Sequence, residues 1–474
     1  MNWVAVVGSG PNGLACAANL AVKGVPVTVI EAAPTIGGGT RSSELTLPGL
    51  IHDDCSAAHP MAAGSKALLG LGLERHGLEW LWPEIDLAHP LDGGSAAVLQ
   101  RSLEATASGL GIDGERWRQI FGEPSESFDA LSEDIMRPIL RIPDHPIKLL
   151  RFGLPAAAPA TLFARAFSTP EAKALFGGVA AHSFSPMTDL MSSSVGMALI
   201  SACHRFGWPV AKGGSQAIAD SLAAVILENG GRIETGHRIR GIDELAGASA
   251  VVLDLDPASA AGVIGSRLPD SVARAYRRYR RGPGAFKVDL AVEGGIPWQN
   301  EHCRRAGTVH AVGSFDEVVV AEREINRGRM PESPFVLVGQ QSIADPSRAR
   351  DGVHPVWTYA HVPSGYEGDA TEAVIGQIER FAPGVRDRIL DRFVRDPADM
   401  ATYNSNYAGG DIITGANTPW QTLIRPRLAI DPYATGVDGV YICSAATPPG
   451  AGAHGMNGYN AAQSVLRGLR RIQA

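Results

Sequence analysis

The stretch Val4-Ala5-Val6-Val7-Gly8-Ser9-Gly10-Pro11-Asn12-Gly13 decides the fold of this 474-residue chain. Its four apolar residues predict a strand that is buried on both faces of a parallel sheet. The turn that follows has the spacing G-x-G-x-x-G, and residues 14–22 predict a helix. A second strand is predicted over 27–30 and ends at Glu31. Strand, glycine turn, helix, strand and acid in this order are typical of a Rossmann-like dinucleotide-binding unit.

Each residue type in this unit has a physical task. Gly8 allows the tight turn, Gly10 lets the backbone approach a pyrophosphate, and Gly13 lets the helix pack closely on the strand. The N–H groups at the positive end of the helix attract phosphates, and the Glu31 carboxylate can accept hydrogen bonds from ribose hydroxyls. The predicted dinucleotide contacts here are Gly8, Gly10, Pro11, Asn12, Gly13, Glu31 and Ala32.

A second glycine cluster, Gly37-Gly38-Gly39-Thr40-Arg41, favours FAD over NAD as the dinucleotide. An acid followed by a short spacer and a Gly-Gly pair resembles the long fingerprint of two-dinucleotide-binding flavoproteins. Such a turn, with its arginine, can enclose the diphosphate and the ribityl chain from the other side. The alternative for Arg41 is a surface cation on a loop. The predicted FAD contacts in this cluster are Gly38, Gly39, Thr40 and Arg41.

A third glycine-rich segment, residues 447–456, follows a strand predicted over 439–445 and precedes a helix predicted from Asn460. It repeats the spacing G-x-G-x-x-G, but two prolines interrupt the turn. We interpret it as a flavin clamp, in which the positive end of the last helix faces the N1–C2=O edge of the isoalloxazine ring. The contacts predicted there are Ser444, Ala445, Gly455 and Met456.

Five segments spread along the chain carry a resemblance to one family. They are 10–15, 53–60, 212–215, 282–289 and 444–458. With them the chain resembles the phytoene desaturase-related branch of FAD-dependent oxidoreductases. The resemblance implies an α/β fold, in which a Rossmann-like FAD-binding domain of the two-dinucleotide-binding type carries an inserted α+β substrate domain. It implies a substrate only loosely, because one fold hosts many reactions.

The same resemblance implies a division of the chain and one more set of contacts. The backbone at Arg238 and Ile239 is expected to contact the adenine. The alternating runs 286–292 and 355–362 predict half-buried strands of a sheet that roofs the flavin. The predicted FAD-binding domain comprises 1–75, 205–270 and 425–474, and the predicted substrate domain comprises 76–204 and 271–424.

A flavin accepts hydride itself, so the protein needs to supply orientation and a dry environment. The sequence shows no clear catalytic base, no Ser-His-Asp pattern and no metal-ligand pattern. Three residues are candidates to assist: His454 in the clamp, and Lys287 and His361 on the roof strands. A structural role is the alternative for each of them. His59 is a weaker candidate to take a proton, and Tyr459 is a candidate to line the pocket.

Composition excludes several classes of partner. A net charge of −7 gives no global attraction for nucleic acid. Five scattered cysteines without a CxxC pair argue against disulfides and zinc, and fit a cytoplasmic location. No export signal and no integral membrane segment of ~18–20 apolar residues is predicted. Residues 147–163 mix apolar and basic side chains, which suits a peripheral membrane contact or, as the alternative, an internal amphipathic helix.

The leading functional prediction is an FAD-dependent oxidoreductase that takes a hydride from a C–H bond of an apolar or amphipathic small molecule. Desaturation is the expected outcome, with oxygen, a quinone or another carrier as the electron acceptor. Three alternatives stay open: a flavin amine or amino-acid oxidase, an FAD-dependent saturase or isomerase, and a non-catalytic FAD-bound scaffold. The oxidase would need an aromatic cage or a carboxylate-binding arginine over the flavin, which the sequence does not reveal.

Overall fold

The computed structural model describes residues 3–473. Its strands come from many separated stretches of the chain. In chain order they are β1 (Val4–Val7), β2 (Val27–Ile30), β3 (Ser42–Ser43), β4 (His52–Asp53), β5 (Trp80–Leu81), β6 (Ile85–Pro90), β7 (Ala96–Leu99), β8 (Val210–Ala211), β9 (Arg232–Glu234), β10 (Ala250–Leu253), β11 (Gly284–Glu293), β12 (Ala306–Ala311), β13 (Val336–Gly339), β14 (Val353–Val362), β15 (Ile389–Arg395) and β16 (Val440–Ile442).

The α-helices range from four to eighteen residues in length. In chain order they are α1 (Pro11–Ala21), α2 (Lys66–Leu69), α3 (Leu103–Gly109), α4 (Gly114–Glu126), α5 (Phe128–Ile135), α6 (Pro146–Ala156), α7 (Ala160–Phe163), α8 (Pro170–Ala180), α9 (Ser194–Phe206), α10 (Gln216–Glu228), α11 (Pro257–Ile264), α12 (Asp270–Arg278), α13 (Glu301–Arg305), α14 (Phe315–Asn326), α15 (Gln341–Ala344), α16 (Thr371–Phe381), α17 (Pro397–Tyr403), α18 (Pro419–Leu423) and α19 (Met456–Gln473).

A parallel sheet with the order β16-β10-β1-β2-β9 forms the first layer system. All four residues of β1 are buried, because α1, α10 and α19 pack on one face of the sheet while α11 and α12 pack on the other. β1 and β2 have the predicted bounds, and the predicted Rossmann-like α/β unit is confirmed.

The first and the last helices of this unit pack directly on each other. A Cβ on Gly458 of α19 would lie 1.9 Å from the carbonyl oxygen of Asn12 in α1. Only glycine therefore allows this approach, and the two ends of the described chain share one core, in which Leu14 and Val465 are both fully buried.

Several predicted bounds were wrong. α1 begins at Pro11 rather than at residue 14, because proline suits the first helical position, where no N–H partner is needed. α19 begins at Met456 rather than Asn460, directly after the left-handed Gly455. β16 is shorter than the predicted 439–445, since the chain turns at Ser444.

A mixed sheet with the order β15-β11-β14-β13-β12-β6-β7 forms the second layer system. Only the pairing of β12 with β6 is parallel. The prediction that β11 is half-buried was wrong, since nine of its ten residues are buried. Its apolar residues Phe286, Val288 and Leu290 belong to the same core as α16, while Asp289 on its other face lies beside His52 of β4.

One arginine joins segments from the two predicted domain ranges. Arg348 is fully buried, and its guanidinium contacts the Asp53 carboxylate at 2.6 Å and the Asp345 carboxylate at 3.2 Å. It also donates to the carbonyl of Ala211 in β8 at 2.5 Å. The strands of the parallel sheet lie within the predicted FAD-binding ranges and those of the mixed sheet within the predicted substrate ranges; the domain boundaries themselves stay a prediction.

Candidate active site

A cavity of about 750 Å³ extends between the two sheets. Its wall includes the first glycine turn at Gly10, the second at Gly39 and the C-terminal segment around Gly452. It also includes side chains of the mixed sheet, among them Trp357 and Tyr359 of β14. The cavity is therefore lined by all three glycine clusters and by the mixed sheet.

The first glycine turn is wrapped around an aspartate that follows β10. A Cβ on Gly13 would lie 2.2 Å from the carbonyl oxygen of Gly8, so the close packing of helix on strand requires glycine. A Cβ on Gly10 would lie 2.6 Å from Asp254 Oδ2. The pyrophosphate was predicted as the reason for Gly10; in the structure the Asp254 carboxylate already requires a glycine there.

Asp254 is the residue of this turn that sequence reasoning missed. Its Oδ2 accepts a hydrogen bond from the Gly13 N–H at 3.0 Å, and its side chain is buried. Burial raises the pKa of the Asp254 carboxyl to about 7. The available signal was its place at the carboxyl end of a parallel strand beside β1, where open α/β sheets bind ligands.

The Glu31 carboxylate is fixed by three hydrogen bonds. Oε2 accepts from the N–H and hydroxyl of Ser9 at 2.8 and 2.6 Å, and Oε1 accepts from the N–H of Ala33 at 2.8 Å. A carboxylate offers about four acceptor positions, so one remains for a ligand hydroxyl.

The segment that contains Arg238 and Ile239 lies beside this acid. The N–H of Gly236 donates to the carbonyl of Ala33, and the N–H of His237 donates to that of Glu31, both at 2.9 Å. Ile239 is buried, whereas Arg238 is exposed. The structure thus brings this predicted adenine-contacting segment next to Glu31 and Ala32.

The second glycine turn closes on the first. A Cβ on Gly38 would lie 2.8 Å from Gly10 Cα, and one on Gly39 would lie 2.1 Å from the Tyr407 hydroxyl. Thr40 lines the cavity beside Gly39. Arg41 instead donates to the carbonyls of residues 35 and 36, so its guanidinium holds this loop in shape.

The predicted clamp residues divide into two groups. Ala445 and His454 line the cavity. Ser444, Gly455 and Met456 support the loop: the Ser444 carbonyl accepts from the Asn457 side chain, a Cβ on Gly455 would meet Ala15 at 2.8 Å, and Met456 packs with Ala67.

His454 is a neutral residue of the cavity wall. Its Nδ1 accepts a hydrogen bond from the N–H of Met456 at 3.1 Å. Burial lowers the pKa of His454 to about 4. The histidine therefore carries its proton on Nε2 and has no positive charge at neutral pH.

Lys287 and His361 lie behind the cavity wall. The Lys287 ammonium pairs with Asp289 and lies 5.8 Å from the centre of the Trp357 ring, which itself lines the cavity. His361 Nδ1 contacts Glu322 Oε1 at 2.6 Å, and its ring stacks on Phe184 with centroids 3.8 Å apart. Their catalytic roles stay predictions.

The two weaker candidates have structural contacts. His59 lines the cavity, and its Nε2 lies 2.8 Å from the hydroxyl of Ser215. Tyr459 packs against a small apolar cluster that contains Met136 and Met456.

A buried arginine in the cavity wall was missed altogether. Arg425 is 3% exposed and donates to the Gln421 carbonyl at 2.9 Å and to Asn417 Oδ1 at 2.6 Å. Within residues 3–473 no carboxylate lies within ion-pair distance of it. A buried charge without a counter-ion is costly, which favours an anionic group of a ligand beside it. No sequence pattern marks this residue.

Helix α6 is apolar on two faces. Leu149 and Phe152 line the cavity, while Ile147, Leu150 and Leu154 are exposed. In the described part of the chain no single helix has the length and apolar character to cross a bilayer; only α6 together with residues 160–166, bent by 92°, meets that test as a pair.

Comparison with known proteins agrees with this geometry. Residues 6–68 match the family model described as NAD(P)-binding Rossmann-like domain. The chain is 22% identical to mouse pyridine nucleotide-disulfide oxidoreductase domain-containing protein 2, over 98% of this chain and 94% of that protein. It is 24% identical to phytoene desaturase (neurosporene-forming) of Rhodobacter capsulatus, over 52% of this chain and 51% of the desaturase.

A solved structure extends the likeness to the whole fold. Cyclohexylamine oxidase from Brevibacterium oxydans superposes with a TM-score of 0.59 and 16% identity, and the match covers 100% of both chains. The chain is thus homologous over nearly its full length to pyridine nucleotide-disulfide oxidoreductase domain-containing protein 2 and more weakly to phytoene desaturase, and it contains a Rossmann-like nucleotide-binding domain.

Proposed function

We propose that this protein is an FAD-dependent oxidoreductase that removes a hydride from a C–H bond of an apolar or amphipathic substrate, with desaturation as the outcome. The observation that carries the proposal is the single cavity that runs from the glycine turns to an apolar chamber under the mixed sheet. An FAD molecule whose dinucleotide part lies at the glycine turns would present its flavin ring to a substrate in the apolar chamber.

The two glycine turns, together with Glu31 and Asp254, form what we call the glycine cradle. The residues of this cradle fit FAD. The two glycine turns and the C-terminal segment line one cavity, and Glu31 keeps one acceptor position for a ribose hydroxyl. Asn12 Oδ1 is buried without a hydrogen-bond partner in the described residues, which leaves it free for the cofactor. The second turn and the clamp favour FAD over NAD(P), whose binding fold needs only the first. When bound, FAD supplies the hydride acceptor.

The chamber fits a largely apolar substrate. Its wall carries Met61, Leu149, Phe152, Leu199 and Trp357, and such side chains stabilise a bound apolar molecule mainly by burying its surface. The likeness to a phytoene desaturase supports C–H chemistry on this kind of substrate.

Arg425 favours a second candidate, oxidation of a substrate with a carboxylate. Arginine and carboxylate form charge-assisted, often bidentate hydrogen bonds, and Arg425 has N–H groups to spare at the cavity wall. This feature is what an amino-acid oxidase would need, and it also suits an amphipathic acid in a desaturation reaction.

We further propose that the face of α6 exposed to solvent contacts a membrane surface. Ile147 is 67% and Leu150 61% exposed, next to the basic residues Lys148 and Arg151. Exposed apolar side chains with flanking cations are typical of interfacial helices. Because the opposite face of α6 lines the cavity, an apolar substrate would pass directly from the bilayer into the chamber.

The first test is the absorption spectrum of the purified protein during anaerobic addition of four substrate sets: polyenes, long-chain carboxylic acids, amines and amino acids. Bleaching of oxidised-flavin bands by polyenes supports desaturation, whereas bleaching by amines or amino acids alone replaces it with the oxidase. Product formation without net bleaching would indicate an isomerase or saturase. Bands that respond only to dithionite would indicate a scaffold, and no bands after incubation with FAD would contradict the proposal.

Arg425→Met, with the neighbouring Arg427→Met as its control, tests whether Arg425 binds the carboxylate of a substrate. We expect Arg425→Met to weaken binding of the acids about 10- to 100-fold and to leave polyene binding unchanged. Equal losses in both variants would exclude an anion site at Arg425.

A further inference from the structure

Three histidines from three separate elements form a line that starts at the cavity. His182, in the one-turn helix Ala181–Ser183, lines the cavity. Its Nε2 lies 3.0 Å from Nε2 of His310 in β12. His89 in β6 follows, with its ring edge-on to that of His310 and the centroids 5.9 Å apart. His89 and His310 are completely buried.

The outer end of the line approaches charged residues near the surface. His89 Nε2 lies 2.6 Å from the carbonyl oxygen of Gly313, directly before α14. In the same peptide unit as this carbonyl, the N–H of Ser314 donates to Glu317 Oε2 at 2.8 Å. Glu317 pairs with Arg380 at 2.8 Å, and that arginine also pairs with the exposed Asp92. The line therefore runs from the cavity to a partly exposed carboxylate.

The hydrogen bonds give the line a direction. A carbonyl oxygen only accepts, so His89 must carry its proton on Nε2, which leaves a lone pair on Nδ1. The Nδ1 atoms of His89 and His310 both lack a partner among the described residues. If His182 donates to His310 through Nε2, then His310 carries its own proton on Nδ1, the atom that faces His89. Each ring then donates toward the surface.

A glycine of helix α8 leaves space between Nδ1 of His310 and Nδ1 of His89. A Cβ on Gly178 of α8 would lie 2.5 Å from Nδ1 of His310 and 2.5 Å from Nδ1 of His89. The two nitrogens are thus at most twice that distance apart, a separation that one water molecule can bridge. Any residue larger than glycine at this position would place a methyl group between them.

We propose that His182, His310, His89 and the Gly313–Ser314 peptide form a proton path that carries a substrate proton from the cavity to Glu317. The proposal rests on the proposed function: one substrate C–H bond gives its hydrogen and two electrons to FAD as hydride, the neighbouring C–H bond gives a proton to His182, and a C=C bond forms. Each imidazole accepts a proton on one nitrogen and releases another from its second nitrogen. The Gly313 carbonyl oxygen takes the proton that His89 releases while the Ser314 N–H of the same peptide gives its proton to Glu317, and the imidic acid so formed returns to the amide. No charge therefore accumulates in the cavity.

The surroundings favour transfer rather than storage of the proton. Burial lowers the pKa of His182 to about 3 and that of His89 to about 4, and it holds that of His310 well below its ordinary value. His361 also lowers the pKa of His182 and His310, and it is paired with Glu322, whose pKa burial raises. The histidines are therefore neutral at rest, and a proton that enters the line is released quickly.

An experiment without substrate tests which ring nitrogen of each histidine carries the proton. In the FAD-loaded protein labelled with 15N-histidine, NMR assigns the protonated nitrogen of each ring, with single His→Phe variants identifying the signals. We expect neutral rings at neutral pH, with the proton on Nε2 of His182, Nδ1 of His310 and Nε2 of His89. A proton on Nε2 of His310 would reverse the order and overturn the path.

Gly178→Ala tests the path in turnover, with Gly262→Ala as the control because its added Cβ meets nothing within 4 Å. We expect Gly178→Ala to slow substrate-dependent flavin bleaching about 100-fold, with substrate binding and reduction by dithionite unchanged. Bleaching at the wild-type rate would overturn the path. His310→Phe gives the same test if Gly178→Ala does not fold. If no substrate bleaches the flavin, the proposed function fails, and the NMR result still decides the path.

Discussion

The glycine cradle and the histidine line hold buried polar groups in two different ways. In the cradle, the Glu31 and Asp254 carboxylates accept hydrogen bonds from the backbone of Ser9 and Gly13, so the main chain itself fixes their positions. In the histidine line, side chains from β6, β12 and a one-turn helix meet each other, and two of their nitrogens have no partner among the described residues. The first arrangement suits fixed binding, and the second suits movement of a proton.

The largest effect is expected in the cradle. Gly13→Ala would place a Cβ 2.2 Å from the carbonyl oxygen of Gly8, so the backbone of the turn must shift. We expect loss of FAD from the purified protein, measured as the ratio of flavin to protein absorbance. Gly262→Ala, also in a helix of the parallel-sheet unit, should keep its FAD, because its added Cβ meets nothing within 4 Å. Full FAD content in Gly13→Ala would contradict the geometry of the turn.

Arg348→Ala breaks a buried contact between the predicted FAD-binding and substrate ranges. Removal of this cation leaves the buried Asp53 and Asp345 carboxylates without their counter-charge. We expect the free energy of unfolding to fall by about 3–5 kcal/mol, measured by urea denaturation. Arg350→Ala, which removes an exposed pair with Asp351, should change it by about 0.5 kcal/mol or less. Similar losses in both variants would show that the buried ion pairs of Arg348 stabilise the fold no more than an exposed pair does.

We expect Asp254→Asn to remove the pH dependence of stability that comes from this carboxyl group in the cradle. Burial raises the pKa of Asp254 to about 7, so its contribution to stability is full below the ordinary aspartate pKa and is lost as the pH rises through 7. We expect Tm of the wild type to fall between about pH 5 and about pH 8 more than Tm of the variant. Asp438→Asn at an exposed position should behave like the wild type. Parallel curves for the wild type and Asp254→Asn would show an ordinary carboxyl.

The smallest effect on stability is expected at α6. Leu150→Ser changes an exposed side chain, so the free energy of unfolding should change by about 0.5 kcal/mol or less. Co-sedimentation with phosphatidylglycerol vesicles should nevertheless fall. Leu149→Ser, which changes the cavity-lining face of the same helix, should leave vesicle binding at the wild-type value. Equal vesicle binding in all three proteins would exclude α6 as the membrane contact.

The cradle was largely predictable from sequence, because its parts lie within forty residues of each other. β1 and β2 have the predicted bounds, and Glu31 lies at the end of β2 as expected. Asp254 was missed as a partner of the turn because the contact joins Gly13 to a residue 241 positions away. Local patterns describe one strand at a time and do not show which distant strand lies beside it.

The residues around the cavity were less predictable for a related reason. Alternation in β11 indicates which side chains share a face, but it does not reveal that Asp289 on that face pairs with Lys287. His182 and Arg425 each lie outside any recognisable motif, and their roles depend on neighbours from other elements. Their positions became evident only from the assembled fold.

The contact between α1 and α19 has a consequence for how the protein is made. α1 is translated long before α19, the helix that packs on it through the 1.9 Å approach at Gly458. Until then the apolar face of α1 remains without its partner. We therefore expect capture of the proposed FAD to follow translation of α19, and nascent chains halted before α19 to be substrates for chaperones and proteases.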